Sequence, residues 1–142
     1  MPLVAIVGSL LLIAALFVAG IVLIIGQKQK IERIFTATGS LNARVRAKCM
    51  LRFFGLESPG IAVATDDELI LHPIVGRVRR IPLAHITLQQ ETPGIGPYAW
   101  WGKRMLHLSC PEERLLVLGV IDPAPWRTVF QSRPTIHAQP PP

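Results

Sequence analysis

The residues most suited to chemistry fall in the stretch PGIGPYAWWGKR, positions 93–104. Tyr98, Trp100 and Trp101 lie within four positions, and two cations, Lys103 and Arg104, follow at once. This grouping serves two kinds of recognition. Indole rings settle at the headgroup level of a bilayer while Lys and Arg meet lipid phosphates. The same residue types dominate protein interfaces, where aromatic area and charge carry most of the binding. The plainer alternative is that the rings fold back over the domain's own core. Of the two binding readings, the sequence favours a protein partner over the membrane surface. Aromatic rings with cations also suit stacked bases, but the basic residues are few and spaced, and no nucleic acid is expected.

A second candidate surface is basic. Arg44, Lys48 and Arg52, with Arg46 between them, precede a second group of Arg77, Arg79 and Arg80. On a strand, Arg77 and Arg79 would share a face with Ile81. Such a stripe is usually a solvated face, and near a membrane it is also a candidate contact for anionic lipid.

Catalytic sets are missing. His72, His85, His107 and His137 include no i, i+4 pair of the kind that holds a metal on a helix. Asp66, Asp67 and Glu68 sit where a tight turn wants them, and an exposed turn does not desolvate a carboxylate for acid/base work. Ser58 lacks the Gly-x-Ser-x-Gly context of a nucleophile elbow. Gly96 to Gly102-Lys103 imitates a phosphate loop. However, five residues separate the glycines and Arg104 stands where Ser or Thr must hold magnesium. Neither a cofactor nor an enzymatic activity is expected. Cys49 and Cys110 form no Cys-x-x-Cys. They are expected reduced and at least partly buried in a cytoplasmic domain, with a single bridge conceivable only in an exported one.

What must position these residues begins with the N-terminus. All 15 Lys/Arg and all 9 Asp/Glu lie at or after Lys28, so the net charge of +6 belongs to the segment that follows an uncharged block. Residues 2–26, PLVAIVGSLLLIAALFVAGIVLIIG, hold Ser9 as their single polar side chain and show no 3.6-residue stripe. A hydrocarbon core of about 30 Å needs roughly 20 helical residues, so this segment reads as a transmembrane helix. The competing reading is a cleaved signal peptide, but its basic n-region is absent and the apolar run is too long. Lys28, Lys30 and Arg33 flank the C-terminal side. The positive-inside rule then predicts a single-pass protein of the cell membrane, N-terminus outside and C-terminal domain cytoplasmic.

Residues 27–35 are expected to continue the helix, and Thr38-Gly39-Ser40 to break it. The stretch 41–54, LNARVRAKCMLRFF, fits two periods. Spacing of Arg44, Lys48 and Arg52 at i, i+4, i+8 favours a helix, whereas Arg44, Arg46 and Lys48 alternating with Val45, Ala47 and Cys49 describe a strand. The helix is preferred, which makes 27–57 a basic juxtamembrane linker. Strands follow at 61–65 and 69–74 around an acidic turn, then at 77–81, 83–90, 103–109 and 114–120, with Pro82 marking an edge or a bend. Residues 92–102 read as a loop. Asp122-Pro123 opens a short helix with Trp126, Val129 and Phe130 on one face, and Pro134 ends it before a proline-rich tail, 134–142, expected to be disordered.

The predicted class is thus one transmembrane helix plus a mainly-β domain over 58–133. That domain would be a bent antiparallel sheet or partly open barrel of five to seven strands, capped by a C-terminal helix. The run Val63-Ala64-Thr65-Asp66-Asp67-Glu68-Leu69-Ile70-Leu71, followed by Arg80-Ile81-Pro82-Leu83-Ala84-His85-Ile86, resembles bacterial PH-like domains. These pair a Leu-x-Leu hairpin with an Ile-Pro-Leu-x-x-Ile strand, and residues 122–131 resemble their capping helix. The resemblance covers roughly residues 58–131, and 41–57 do not map onto a first strand. It implies binding rather than catalysis: a protein-interaction module or accessory subunit of a membrane complex, with an anionic-lipid sensor as the alternative.

Overall fold

The computed structural model describes residues 2–40, 42–53, 56–96, 102–111 and 116–131. An uninterrupted helix, α1 (Pro2–Ala37), comes first, and a 3-10 turn at Thr38–Ser40 ends it. Seven strands follow: β1 (Val45–Phe53), β2 (Leu56–Ala64), β3 (Glu68–Pro73), β4 (Arg79–Pro82), β5 (Thr87–Pro93), β6 (Arg104–Ser109) and β7 (Leu116–Val120). A second helix, α2 (Ala124–Gln131), completes the described chain. All pairings are antiparallel, in the order β4-β3-β2-β1-β7-β6-β5.

The sheet curls into a half-barrel. Seven flat strands at about 4.8 Å spacing would hold their edges roughly 29 Å apart. Here Leu69, Leu71 and Ile81 from one edge share a single core cluster with Leu106, Leu108 and the partly buried Leu88 from the other. Alternation supplies this face: Val45, Ala47, Cys49 and Leu51 point inward from β1, and Ala62 and Ala64 from β2. The two alanines leave room for the curl and for the large side chains opposite.

α2 closes the half-barrel. Trp126, Val129 and Phe130, at i, i+3 and i+4, are buried in the same cluster, and the Trp126 and Phe130 rings stack at 6.1 Å. Its start differs by one residue from the expected N-cap. The helix begins at Ala124, whose N–H donates to the Asp122 carboxylate at 3.2 Å, while Arg127 N–H bonds the Pro123 carbonyl. Pro82 does lie on an edge strand, and Pro93 ends the other edge, as missing ladder donors require. The expected strand at 83–90 is divided: Leu83–His85 form a 3-10 turn and β5 runs on through Pro93, with a bulge between Leu88 and Gln90.

The largest correction concerns 41–54. The helix preferred from spacing is a strand, and β1 is the central one, bonded to both β2 and β7. Residues 27–57 are therefore not a linker, and the sheet starts at Val45 rather than near 58. Tertiary pairing overrides the local pattern because Val45, Ala47, Cys49 and Leu51 bury only at period two.

β2 is buried on both sides, and the outer side is the unexpected one. Ile61, Val63 and Ile70 form a second cluster, at most 1% exposed, covered by Ile31, Ile34 and Phe35 of α1. Full burial of such side chains stabilises by about 1.5–3 kcal/mol each. Crossing this region, Gly60 admits no side chain: a Cβ would lie 2.5 Å from the His72 carbonyl oxygen and 3.0 Å from Pro73 Cα. Both obstacles are backbone, so relief requires β2 and β3 to separate. Gly60→Ala is expected to cost about 1–3 kcal/mol in chemical denaturation. Stability equal to the parent protein would show that the strands can part freely there.

Candidate functional site

The basic residues of β1 are organised by its period of two. Arg46, Lys48 and Arg52 share the outer face, opposite the inward Ala47, Cys49 and Leu51. That face meets the end of α1. The Arg46 guanidinium lies 4.0 Å from the Phe35 ring centroid and donates to the Phe35 carbonyl at 2.9 Å. Lys48 sits 5.0 Å from the same ring and pairs with Glu32. Thr38 Oγ1 also donates to the Phe35 carbonyl, at 3.0 Å. One of the carbonyls a helix end leaves unbonded is thus doubly satisfied. Phe35 is where cation–π contact, backbone capping and apolar packing converge.

The remaining predicted basic residues do not join them in one surface. Arg44 pairs with Asp66 at 3.5 Å, Arg52 with Glu57, and Arg80 with Glu68 at 2.7 Å. Such surface pairs are worth about 0–1 kcal/mol each, but they spend the positive field locally. Arg79 is half-buried on the Ile81 side of β4, while Arg77 is exposed in the β3–β4 connection. Of the three residues predicted to set topology, Lys30 donates its Nζ to the Ile74 carbonyl at 2.6 Å. Among the described residues, Lys28, Arg33 and Arg77 make no ion pair.

These contacts give the molecule two ends. Lys30 meets Ile74, just past β3, whereas Phe35 meets Arg46, near the start of β1. α1 therefore runs against β1, and its apolar stretch projects past the β3–β4 connection. By strand direction, the β1–β2 turn and the β6–β7 connection lie at that same end. The Asp66-Asp67 turn and the β5–β6 loop leave at the opposite end.

The β5–β6 loop carries the aromatic candidates. Tyr98, Trp100 and Trp101 lie outside the described residues. Their flanks are described: Gly94 N–H bonds the Lys103 carbonyl at 2.9 Å, extending the β5–β6 ladder by one step. Lys103 is half-buried. Arg104 is committed to structure, its Nε 3.0 Å from Glu91 Oε1. Arg127 of α2 grips the same carboxylate through two bonds, 2.5 Å to Oε2 and 2.8 Å to Oε1. The Arg127 hydrogen bonds, aided by Arg104 and opposed by desolvation, hold the Glu91 carboxyl down to about 2. This bridge ties α2 to the β5–β6 hairpin. Beside it, Ile95 and Ile121 are exposed at 85% and 67%, one on each flank of Lys103. No spacing rule in the sequence had singled out this apolar pair.

Cys49 and Cys110 are buried and form no disulfide with each other, and burial pushes the Cys49 thiol up to about 12. His107 Nε2 meets Thr92 Oγ1 at 2.9 Å. Among the described residues, no three His, Cys, Asp or Glu side chains gather as a metal set would.

No protein-family model matches the chain, and no curated protein matches it. Among solved structures, a match is the crystal structure of the C-terminal domain of an unknown protein from Leishmania infantum, 8% identical, with a TM-score of 0.48. It covers 68% of this chain and 91% of that one.

His72, on β3 opposite Ile61, leaves Nε2 buried without a hydrogen-bond partner among the described residues. Desolvation, reinforced by the Arg80 charge, lowers its pKa below the ordinary 6.5. The unfolded chain then binds more protons than the folded one, so stability is present above 6.5 and lost as pH falls below it. Thermal melts on acidification through this range are expected to show a falling midpoint, flattened in His72→Gln. An equal fall in the variant would assign the loss to other groups.

Proposed function

We propose that the protein is a single-pass, membrane-anchored binding module of PH-like build, without enzymatic activity, acting as an interaction or accessory subunit of a membrane complex. One observation carries this reading: α1 continues unbroken from an apolar stretch, none of it buried, into the turns that cover β2 and β3. At 1.5 Å per residue, its 36 residues extend roughly 54 Å, well beyond a hydrocarbon core of about 30 Å. A soluble protein's core helix would be buried. Against a cleaved leader stand the length of the apolar run and the lack of a basic residue before it. Lys28, Lys30 and Arg33 at the domain side favour a cytoplasmic domain in the cell membrane. The PH-like assignment draws on the sheet order with a closing α2, beside the sequence resemblance.

The partner surface, on this reading, is the end away from the anchor. Exposed Ile95 and Ile121 flank Lys103 there, at the base of the loop holding Tyr98, Trp100 and Trp101. Large exposed apolar side chains rimmed by charge mark a protein contact. The alternative, a sensor of anionic lipid, draws on the basic stripe and the aromatic loop, and of the cations Lys28 and Arg77 lie at the anchor end.

Two results follow. Alkaline carbonate extraction should leave the protein in the membrane pellet with its N-terminal helix intact, and release of an intact chain would contradict the anchor. Photo-crosslinking from position 100 or 101 in the full-length protein should yield a discrete adduct. Trp100→Ala with Trp101→Ala should reduce partner capture while changing stability by less than about 1 kcal/mol. A large stability loss would assign those rings to the core.

A further inference from the structure

The β3–β4 connection, Ile74-Val75-Gly76-Arg77-Val78, is fastened to α1 close to where the helix becomes apolar. The fastening is the 2.6 Å bond from Lys30 Nζ to the Ile74 carbonyl. Lys30 lies four residues past Gly26, the last residue of the uncharged apolar run, or roughly 6 Å along the axis. Ile74 is only 5% exposed, so it roots the connection. Beyond that root the polarity reverses: Val75 is 75% exposed and Val78 52%. Gly76, at φ +112°, makes a turn that a side chain would strain, and it holds the two valines outward on either side of exposed Arg77. Leu56, at the same end, is 78% exposed.

Charge divides in the same way. The described arginines elsewhere on β1 and β4 are met by carboxylates or half-buried. Lys28 and Arg77, at the anchor end, are not paired among the described residues. Apolar tips beside unpaired cations, held about one helical turn from an apolar span, suit the boundary between headgroups and acyl chains.

We propose that the β3–β4 connection is a second membrane contact. In it Val75 and Val78 enter the interfacial layer, and Arg77 with Lys28 meets anionic lipid phosphates. The occupant is the lipid surface. The inference rests on the membrane-anchor reading, and it adds what a single helix cannot supply. One span leaves the domain free to spin and tilt; a second contact fixes its attitude and directs the Ile95, Ile121 and aromatic-loop end away from the bilayer.

The test uses the full-length protein in phosphatidylcholine bilayers with and without phosphatidylglycerol. Single environment-sensitive labels are placed at Val75→Cys, Leu12→Cys and Asp67→Cys, and depth is read by lipids carrying shallow or deep quenchers. The native cysteines are buried. The Val75 label should be quenched by shallow lipids, more strongly with phosphatidylglycerol, and Arg77→Glu should abolish that dependence. The Asp67 label should stay unquenched. A Val75 label as unquenched as that at Asp67, with the Leu12 label deep in the bilayer, overturns the second contact and leaves the anchor standing. A Leu12 label reached by no lipid quencher overturns the anchor reading itself.

Discussion

The covering of Ile61, Val63 and Ile70 by the last turns of α1 is the contact on which the rest of the arrangement depends. Without it, three aliphatic side chains on the outside of a half-barrel would face water. β2 would be an ordinary strand with one buried face instead of two. The helical extension needs the contact equally. Residues 27–37 continue a helix already nucleated by the apolar stretch, and the sheet supplies the packing that holds their last turns against fraying. Arg46 and Lys48 seal the junction over Phe35, so charges that look like a solvated stripe serve to dock one element on another.

That docking fixes the direction in which the apolar stretch of α1 leaves the sheet. Because α1 runs against β1, the ends of the sheet become distinct. At one lies the β3–β4 connection; from the other leave the Asp66-Asp67 turn and the β5–β6 hairpin, beside the exposed Ile95 and Ile121. The Glu91 bridge to Arg104 and Arg127 stiffens the second end by joining α2 to the hairpin that presents the loop. A binding surface there would be carried on rigid elements.

Much of this was legible in the sequence, for identifiable reasons. Residues 2–26 contain nothing ionised, and α2 places three large apolar groups at i, i+3 and i+4, a spacing that only a helix brings together. The acidic turn between β2 and β3 and the edge position of Pro82 follow from backbone chemistry alone. β1 misled because a spacing of four is also a multiple of two. Arg44, Lys48 and Arg52 fit both periods, and Arg46, which only the strand places beside Lys48, was the discriminating residue. The continuous run Ile61-Ala62-Val63-Ala64 is the sequence's sign of burial on both faces, but nothing in the sequence says which element covers the outer one. The division of the arginines into paired and unpaired sets was beyond reach, since it depends on which carboxylates the fold brings near.

The most direct measurement of the central claim is hydrogen exchange, by mass spectrometry, on the full-length protein in lipid nanodiscs, with and without Ile34→Asp. If α1 and β2 are one unit, amides of residues 28–37 and of β2 exchange slowly together in the parent protein and quicken together in the variant. Fast exchange of 28–37 in the parent, with β2 protected and indifferent to the substitution, would contradict the account.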